Sequence, residues 1–329
     1  MKNKLHTIVQ VICVLITVVC CTSAVGVYIQ SRKVAELPDR IKASADSLEY
    51  VYDRNLTGYN DPQYSMIDVP EGIAIGENRL VVTDSENDCL YAFDFLDGAF
   101  DVHGRTGNDN GQFIYPTSIT YQNGRYYILD AKNFRIQIFD DDFEYLSQIE
   151  LPRKDMINMG ELNPRYCDID IIDDCIYVSS TSVSAESAKV LKIKNEVINE
   201  IIDNFIGYID TDGENVYAIN SKDLLNTKEH IYIYNGKPKI YCCSNEKVQI
   251  VGELPNGYEP GDFVVHDEYI YILNNSNHSL DKFNLQGEYV ESIYKFDDES
   301  LLKYITYDDE GKIFYITMSS GIILLDNET

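Results

Sequence analysis

The chain has 329 residues and is strongly acidic, with 54 Asp and Glu against 27 Lys and Arg, a net charge of −27. Residues 1–37 hold four of the basic residues and one of the acidic ones, so the rest carries 23 against 53. Such a chain repels nucleic acid and anionic membrane surfaces and makes both poor partners.

The first element is an apolar run, Ile8–Ile29, of 22 residues without a charge. It is long enough to cross a hydrocarbon core of ~30 Å as a helix. Lys2 and Lys4 precede it and Arg32 and Lys33 come after it, so the flanking charges do not orient it. Only seven residues lie ahead of the run, which fits a signal-anchor that exports the rest of the chain. The rival is a cleaved secretory signal ending at Thr22-Ser23-Ala24, although its apolar core would be only ~7–15 residues. Lipidation at Cys20 or Cys21 is disfavoured by Val18-Val19 ahead of them. The expected organisation is a membrane anchor or signal peptide at 1–30 and a polar stalk at 31–47. A folded domain at 48–329 then lies outside the cytoplasm, on a single-pass protein of the cell membrane. Three of the eight cysteines fall in the apolar run, and the five left form no disulfide framework.

Leu48–Arg54 (LEYVYDR) is strand-like. After it, six short runs of β-branched and aromatic residues each end in a small polar residue. They are Arg79–Asp84, Arg125–Asp130, Cys175–Ser180, Asn215–Asn220, Tyr269–Asn274 and Lys312–Thr317. Their starts are 46, 50, 40, 54 and 43 residues apart, the period of a propeller blade of four strands. In the second unit, Ser118–Gln122 passes through Asn123-Gly124, a strong hairpin signal, into Arg125–Asp130. Arg135–Phe139 and Tyr145–Ile149 are its next two strands. In the fourth unit, Tyr208–Asp210 and Asn215–Asn220 are expected to lead into His230–Tyr234 and Lys239–Cys243. The sixth unit supplies three strands before the chain stops, so Leu48–Arg54 is expected to close the ring as its outer strand and remove a free edge. The predicted fold is an all-β six-bladed β-propeller preceded by an N-terminal transmembrane helix.

Gly107, Gly111-Gln112-Phe113, Pro116, Ile128-Leu129-Asp130, Asn133 and Arg135–Phe139 together resemble the NHL repeat. Pro70–Ala74, Asp84, Asn87 and Phe93 match it more loosely, and Asn274, Asn277 and Phe283 more loosely still. Ser118, Phe134 and Asp142 depart from the usual glycine, histidine and glycine. The resemblance implies the six-bladed architecture and no single activity.

The candidate ligand-binding residues open the innermost strands at the channel mouth: Glu71, Thr117, Arg165, Tyr208, Asp262 and Lys303. Six-bladed lactonase-like enzymes gather carboxylates and an amide there around a divalent cation, and Glu71 and Asp262 would be the candidates. Arg165 and Lys303 would oppose such a cation and pair with the carboxylates instead. The NHL-built amide lyase implies histidine ligands, but His103, His230, His266 and His278 show no metal-ligand spacing. No G-x-S-x-G elbow occurs. Asp84, Asp130, Asn220 and Asn274 are expected to cap backbone N–H groups rather than bind a ligand. The cysteines are expected to be buried structural thiols.

The sequence therefore points to a monomeric, membrane-tethered binding module for a protein or cell-envelope polymer, without metal or other cofactor. A metal-dependent lactonase- or lyase-like enzyme is the alternative.

Overall fold

The computed structural model describes residues 26–29, 67–153, 166–180, 189–203, 205–226, 231–234, 237–244, 247–297, 299–319 and 321–326. The chain order begins with β1 (Gly26–Ile29). Blade one comprises β2 (Pro70–Ile75), β3 (Arg79–Asp84), β4 (Cys89–Asp94) and β5 (Phe100–His103). Blade two comprises β6 (Pro116–Gln122), β7 (Arg125–Asp130), β8 (Arg135–Asp140) and β9 (Tyr145–Glu150). Blade three comprises β10 (Tyr166–Ile172), β11 (Cys175–Ser180), β12 (Lys189–Lys194) and β13 (Val197–Asp203).

Blade four has β14 (Phe205–Thr211), β15 (Val216–Asn226), a side strand β16 (Ile231–Tyr234), β17 (Lys239–Ser244) and β18 (Lys247–Glu253). Blade five comprises β19 (Pro260–His266), β20 (Tyr269–Asn274), β21 (Ser279–Asn284) and β22 (Tyr289–Lys295). Blade six comprises β23 (Leu302–Asp308), β24 (Ile313–Met318) and β25 (Gly321–Asp326), completed by β1. The innermost strands β2, β6, β10, β14, β19 and β23 contact one another in sequence, and β23 returns to β2. The fold is thus an all-β six-bladed propeller.

Turn chemistry sets the hairpins. Asn123 and Gly124 both have positive φ, 52° and 72°, as the turn between β6 and β7 requires. Among the described residues the core divides into six clusters, each filling one seam between adjacent blades. Ile73, Leu80, Tyr91 and Phe93 pack with Tyr304, Tyr315, Ile322 and Leu324 between blades one and six. Tyr217, Ile219 and Ile240 pack with Phe263, Ile270 and Phe283 between blades four and five. Each sheet therefore buries its faces only against its neighbours, which makes the ring cooperative.

Three sequence expectations change. First, the closing strand is N-terminal but is Gly26–Ile29, paired in parallel with β25 through Val27↔Ile322 and Ile29↔Leu324. A helix running to Ile29 is incompatible with this pairing. No helix among the described residues is long and apolar enough to cross a membrane. The rest of the expected span, the stalk and Leu48–Arg54 lie outside the described residues.

Second, the third strand of blade four is β17, not 230–234. β15 runs on past the blade and pairs with β16 through Leu224↔Ile233, while Ile219 pairs with Ile240 of β17. The β15–β16 hairpin is an insertion whose alternating apolar pattern imitates a blade strand. Third, every innermost strand has a register shift near its start, as at Pro70/Ile73, Tyr166/Asp168 and Leu302/Ile305. Such bulges re-aim side chains and change which residues share a level.

Candidate functional site at the central channel

Aligned by these bulges, the second residues of the innermost strands are Glu71, Thr117, Cys167, Gly207, Gly261 and Lys303. The third are Gly72, Ser118, Asp168, Tyr208, Asp262 and Tyr304, and the fifth are Ala74, Thr120, Asp170, Asp210, Val264 and Thr306. The six residues proposed from sequence therefore do not form one ring. Glu71, Thr117 and Lys303 share the outer level, while Tyr208 and Asp262 belong one level deeper. Cys167 holds the outer position in blade three, and Arg165 lies outside the described residues. Gly72 permits close approach at the second level, because a Cβ there would stand 2.5 Å from the Ser118 Cα.

At the outer level Lys303 Nζ donates to Glu71 Oε1 at 2.7 Å across the blade six–blade one seam. Burial still raises the Glu71 pKa above the ordinary carboxylate value, with Lys303 acting against that rise. Thr317 Oγ1 donates to the Glu71 carbonyl at 2.7 Å, and Thr117 Oγ1 reaches the Tyr166 carbonyl at 3.4 Å. Lys303→Met should destabilise the domain by roughly 3 kcal/mol, since one partner of a nearly buried pair is left behind. Adding Glu71→Gln should recover most of that loss in denaturant titration. Simple addition of the two single losses would refute the pairing as the cause.

Below this level the channel is crossed by a side chain. Tyr304, on blade six, donates its hydroxyl to the carbonyl of Cys167 on blade three at 2.5 Å. Blades three and six are opposite in the ring. Tyr208 of blade four meets the Tyr304 ring edge-on, with centroids 5.7 Å apart. On its inner side Tyr304 lines a cavity of about 170 Å³. That cavity extends toward the hairpin ends of the innermost strands, past Ile75, Tyr121 and Tyr307.

Four carboxyls line the cavity: Asp168, Asp170, Asp210 and Asp262. Asp168 accepts from Ser118 Oγ at 2.9 Å and from the Ile209 N–H at 2.8 Å, tying blades two, three and four. Asp210 accepts from the Val265 N–H at 2.5 Å, and Asp262 from the Ile305 N–H at 3.1 Å. Burial pushes the Asp168 carboxyl up to about 7, and raises Asp210 and Asp262 well above the usual carboxylate range. No lysine, arginine or histidine is among the residues lining the cavity.

Sequence reasoning missed Ser118, Asp168, Asp170, Asp210 and Tyr304. The available signal was the aspartates set into apolar strand sequence, DIDII and YID, where burial demands a partner for each carboxyl.

Among the described residues, no three His, Cys, Asp or Glu side chains are placed to hold a metal ion together. His103 stacks on Phe143 at 4.0 Å, and His266 lies 3.2 Å from Asp267 and 3.4 Å from Asp309. His230 lies outside the described residues. Cys89, Cys167, Cys175, Cys242 and Cys243 are free thiols. Cys175 stands opposite Ile172, while Cys167 Sγ contacts Ser179 Oγ at 3.2 Å. Burial raises the Cys167 pKa well above that of an ordinary thiol, which leaves it unreactive.

Asp84, Asp130 and Asn274 behave as caps. Asp84 accepts from the N–H groups of Asp68 and Asn87, and Asp130 from that of Ile114. Asn274 accepts from the N–H groups of Ser276 and Asn277.

The NHL repeat matches residues 113–139, and the chain carries that repeat within a six-bladed propeller. No curated protein matches the chain in sequence. Among solved structures, virginiamycin B lyase from Staphylococcus aureus is 12% identical with a TM-score of 0.53, covering 80% of this chain and 85% of its own. A gluconolactonase from Xanthomonas campestris is 14% identical, with a TM-score of 0.54 and coverage of 78% and 84%. The calcium-binding protein regucalcin from Agrobacterium tumefaciens is 9% identical, with a TM-score of 0.55 and coverage of 76% and 82%. At these identities the likeness is one of fold.

Proposed function

We propose that this NHL-repeat propeller is a membrane-tethered, extracytoplasmic binding module that takes a protein or cell-envelope polymer on its channel-mouth face. The observation that carries the reading is the Glu71–Lys303 pair above the crossing Tyr304 side chain. The pair neutralises the outer carboxylate, and the tyrosine crosses the channel from blade six to blade three. The strongly acidic chain favours a cationic or neutral partner over nucleic acid. The tether is the uncharged run at 8–25, eighteen residues ending where β1 begins, still within the range of a spanning helix. Such a tether holds blade six beside the membrane.

A metal-dependent lactonase- or lyase-like enzyme is the second reading, favoured by the fold shared with a gluconolactonase and virginiamycin B lyase. Metal analysis of the purified protein, thermal shift with Ca²⁺, Zn²⁺ and Mn²⁺, and a lactone-hydrolysis assay separate the two. The binding module is expected to show no stoichiometric metal and no turnover. Lactone turnover that is lost in Glu71→Gln would overturn it.

A further inference from the structure

We propose that the carboxyls of Asp170 and Asp210 share a proton that latches blade three to blade four, tightening the ring in mild acid and loosening it as pH rises. Asp170 on β10 and Asp210 on β14 stand at the same level of neighbouring strands, and both line the cavity. Two carboxylates offer only acceptors, so a hydrogen bond between them needs a proton on one of them. The pair is anchored on both sides. Thr120 Oγ1 of β6 donates to Asp170 at 3.1 Å, and the Val265 N–H of β19 donates to Asp210 at 2.5 Å. One line of hydrogen bonds therefore crosses four consecutive innermost strands, with the shared proton in its middle.

Among the described residues lining the cavity, none supplies positive charge to the pair. Its charged neighbours in the cavity are Asp168 on blade three and Asp262 from β19, both acidic. From β2 the cavity receives Ile73, Ala74 and Ile75, and from β23 Tyr304, Ile305, Thr306 and Tyr307. Tyr121 of β6 gives its hydroxyl to Asp141 at 2.7 Å. His266, beyond Val265 on β19, lies against Asp267 and Asp309. Ionising both members of the pair would add a second charge to a cavity already lined by two other carboxyls.

Burial raises the pKa of both carboxyls, that of Asp210 well above the ordinary value. A carboxyl with a higher pKa in the folded chain binds protons on folding. Its contribution is complete below the unfolded value of about 4 and is lost as pH rises through the folded value. The latch therefore weakens as pH rises above the ordinary carboxylate range.

The test is the melting temperature of the full chain in detergent from pH 5 to pH 8, for wild type, Asp210→Asn and Asp170→Asn. The wild type should lose about 5 °C across this range. In Asp210→Asn the amide donates to Asp170 at every pH, so at least half of that loss should vanish. Parallel pH profiles in the wild type and the Asn variants would overturn the latch. Infrared spectra at pH 5 give a second reading: a protonated-carboxyl band lost in Asp210→Asn supports the latch, and a band unchanged in both Asn variants overturns it.

Discussion

A fragment beginning at Gly26 should melt about 10 °C above one beginning at residue 41, although both lack most of the apolar run. The difference comes from β1. Val27, Tyr28 and Ile29 pair with Ile322, Ile323 and Leu324, whose side chains are at most 3% exposed and belong to the seams on both sides of blade six. Removing β1 uncovers the outer edge of β25 and leaves its backbone groups unpaired. Such a loss is on the order of 4 kcal/mol, a large share of a total stability of ~5–15 kcal/mol. An exposed, apolar strand edge is also a template for association, so the shorter fragment should aggregate on heating. Differential scanning calorimetry of fragments 26–329 and 41–329 checks this. Equal melting temperatures would mean that another segment closes the ring, with Leu48–Arg54 the first candidate.

The blades were legible in the sequence because each second strand is a compact β-branched run bounded by a strong turn. Arg125–Asp130, Cys175–Ser180 and Tyr269–Asn274 match β7, β11 and β20 residue for residue. The closing strand was hidden because Gly26–Ile29 is continuous with an apolar run, and hydropathy alone does not separate a helix end from a buried strand. The side hairpin of blade four was hidden for a similar reason, since Ile231–Tyr234 has the same alternation as a true blade strand.

The candidate site was legible only in part. Lys303 could be expected to pair with a carboxylate, and Glu71 proves to be its partner. The levels within the channel could not be read, because the bulge that opens each innermost strand leaves no mark in composition. Asp168, Asp170 and Asp210 become informative only when two blades bring them to one cavity. Contacts of this kind join residues about 40 positions apart, as in the bond from Ile209 to Asp168.

Asp130→Ala should be the most damaging substitution in the NHL repeat, at roughly 3–5 kcal/mol. The Asp130 side chain is fully buried. Its Oδ1 accepts from the Ile114 N–H at 2.8 Å, and its Oδ2 from Asn133 at 2.8 Å, Arg135 Nε at 2.8 Å and Gln137 at 3.1 Å. Arg135 is itself buried, and its remaining guanidinium N–H groups go to the carbonyls of Asn108, Asp109 and Gln112 and to Gln148. Those neutral acceptors cannot balance its charge, so removing Asp130 leaves an uncompensated buried cation. Asp84 is the natural control. It occupies the same place in blade one and accepts from Asp68, Val69 and Asn87, none of them cationic donors. Asp84→Ala should therefore cost about 2 kcal/mol, the penalty for unsatisfied polar groups alone. Asp130→Asn should fall between, because its amide keeps one acceptor for Ile114 but loses the charge facing Arg135. Urea titration of the three variants gives the order. Equal losses for Asp84→Ala and Asp130→Ala would show that the cap, and not the buried ion pair, holds the repeat together.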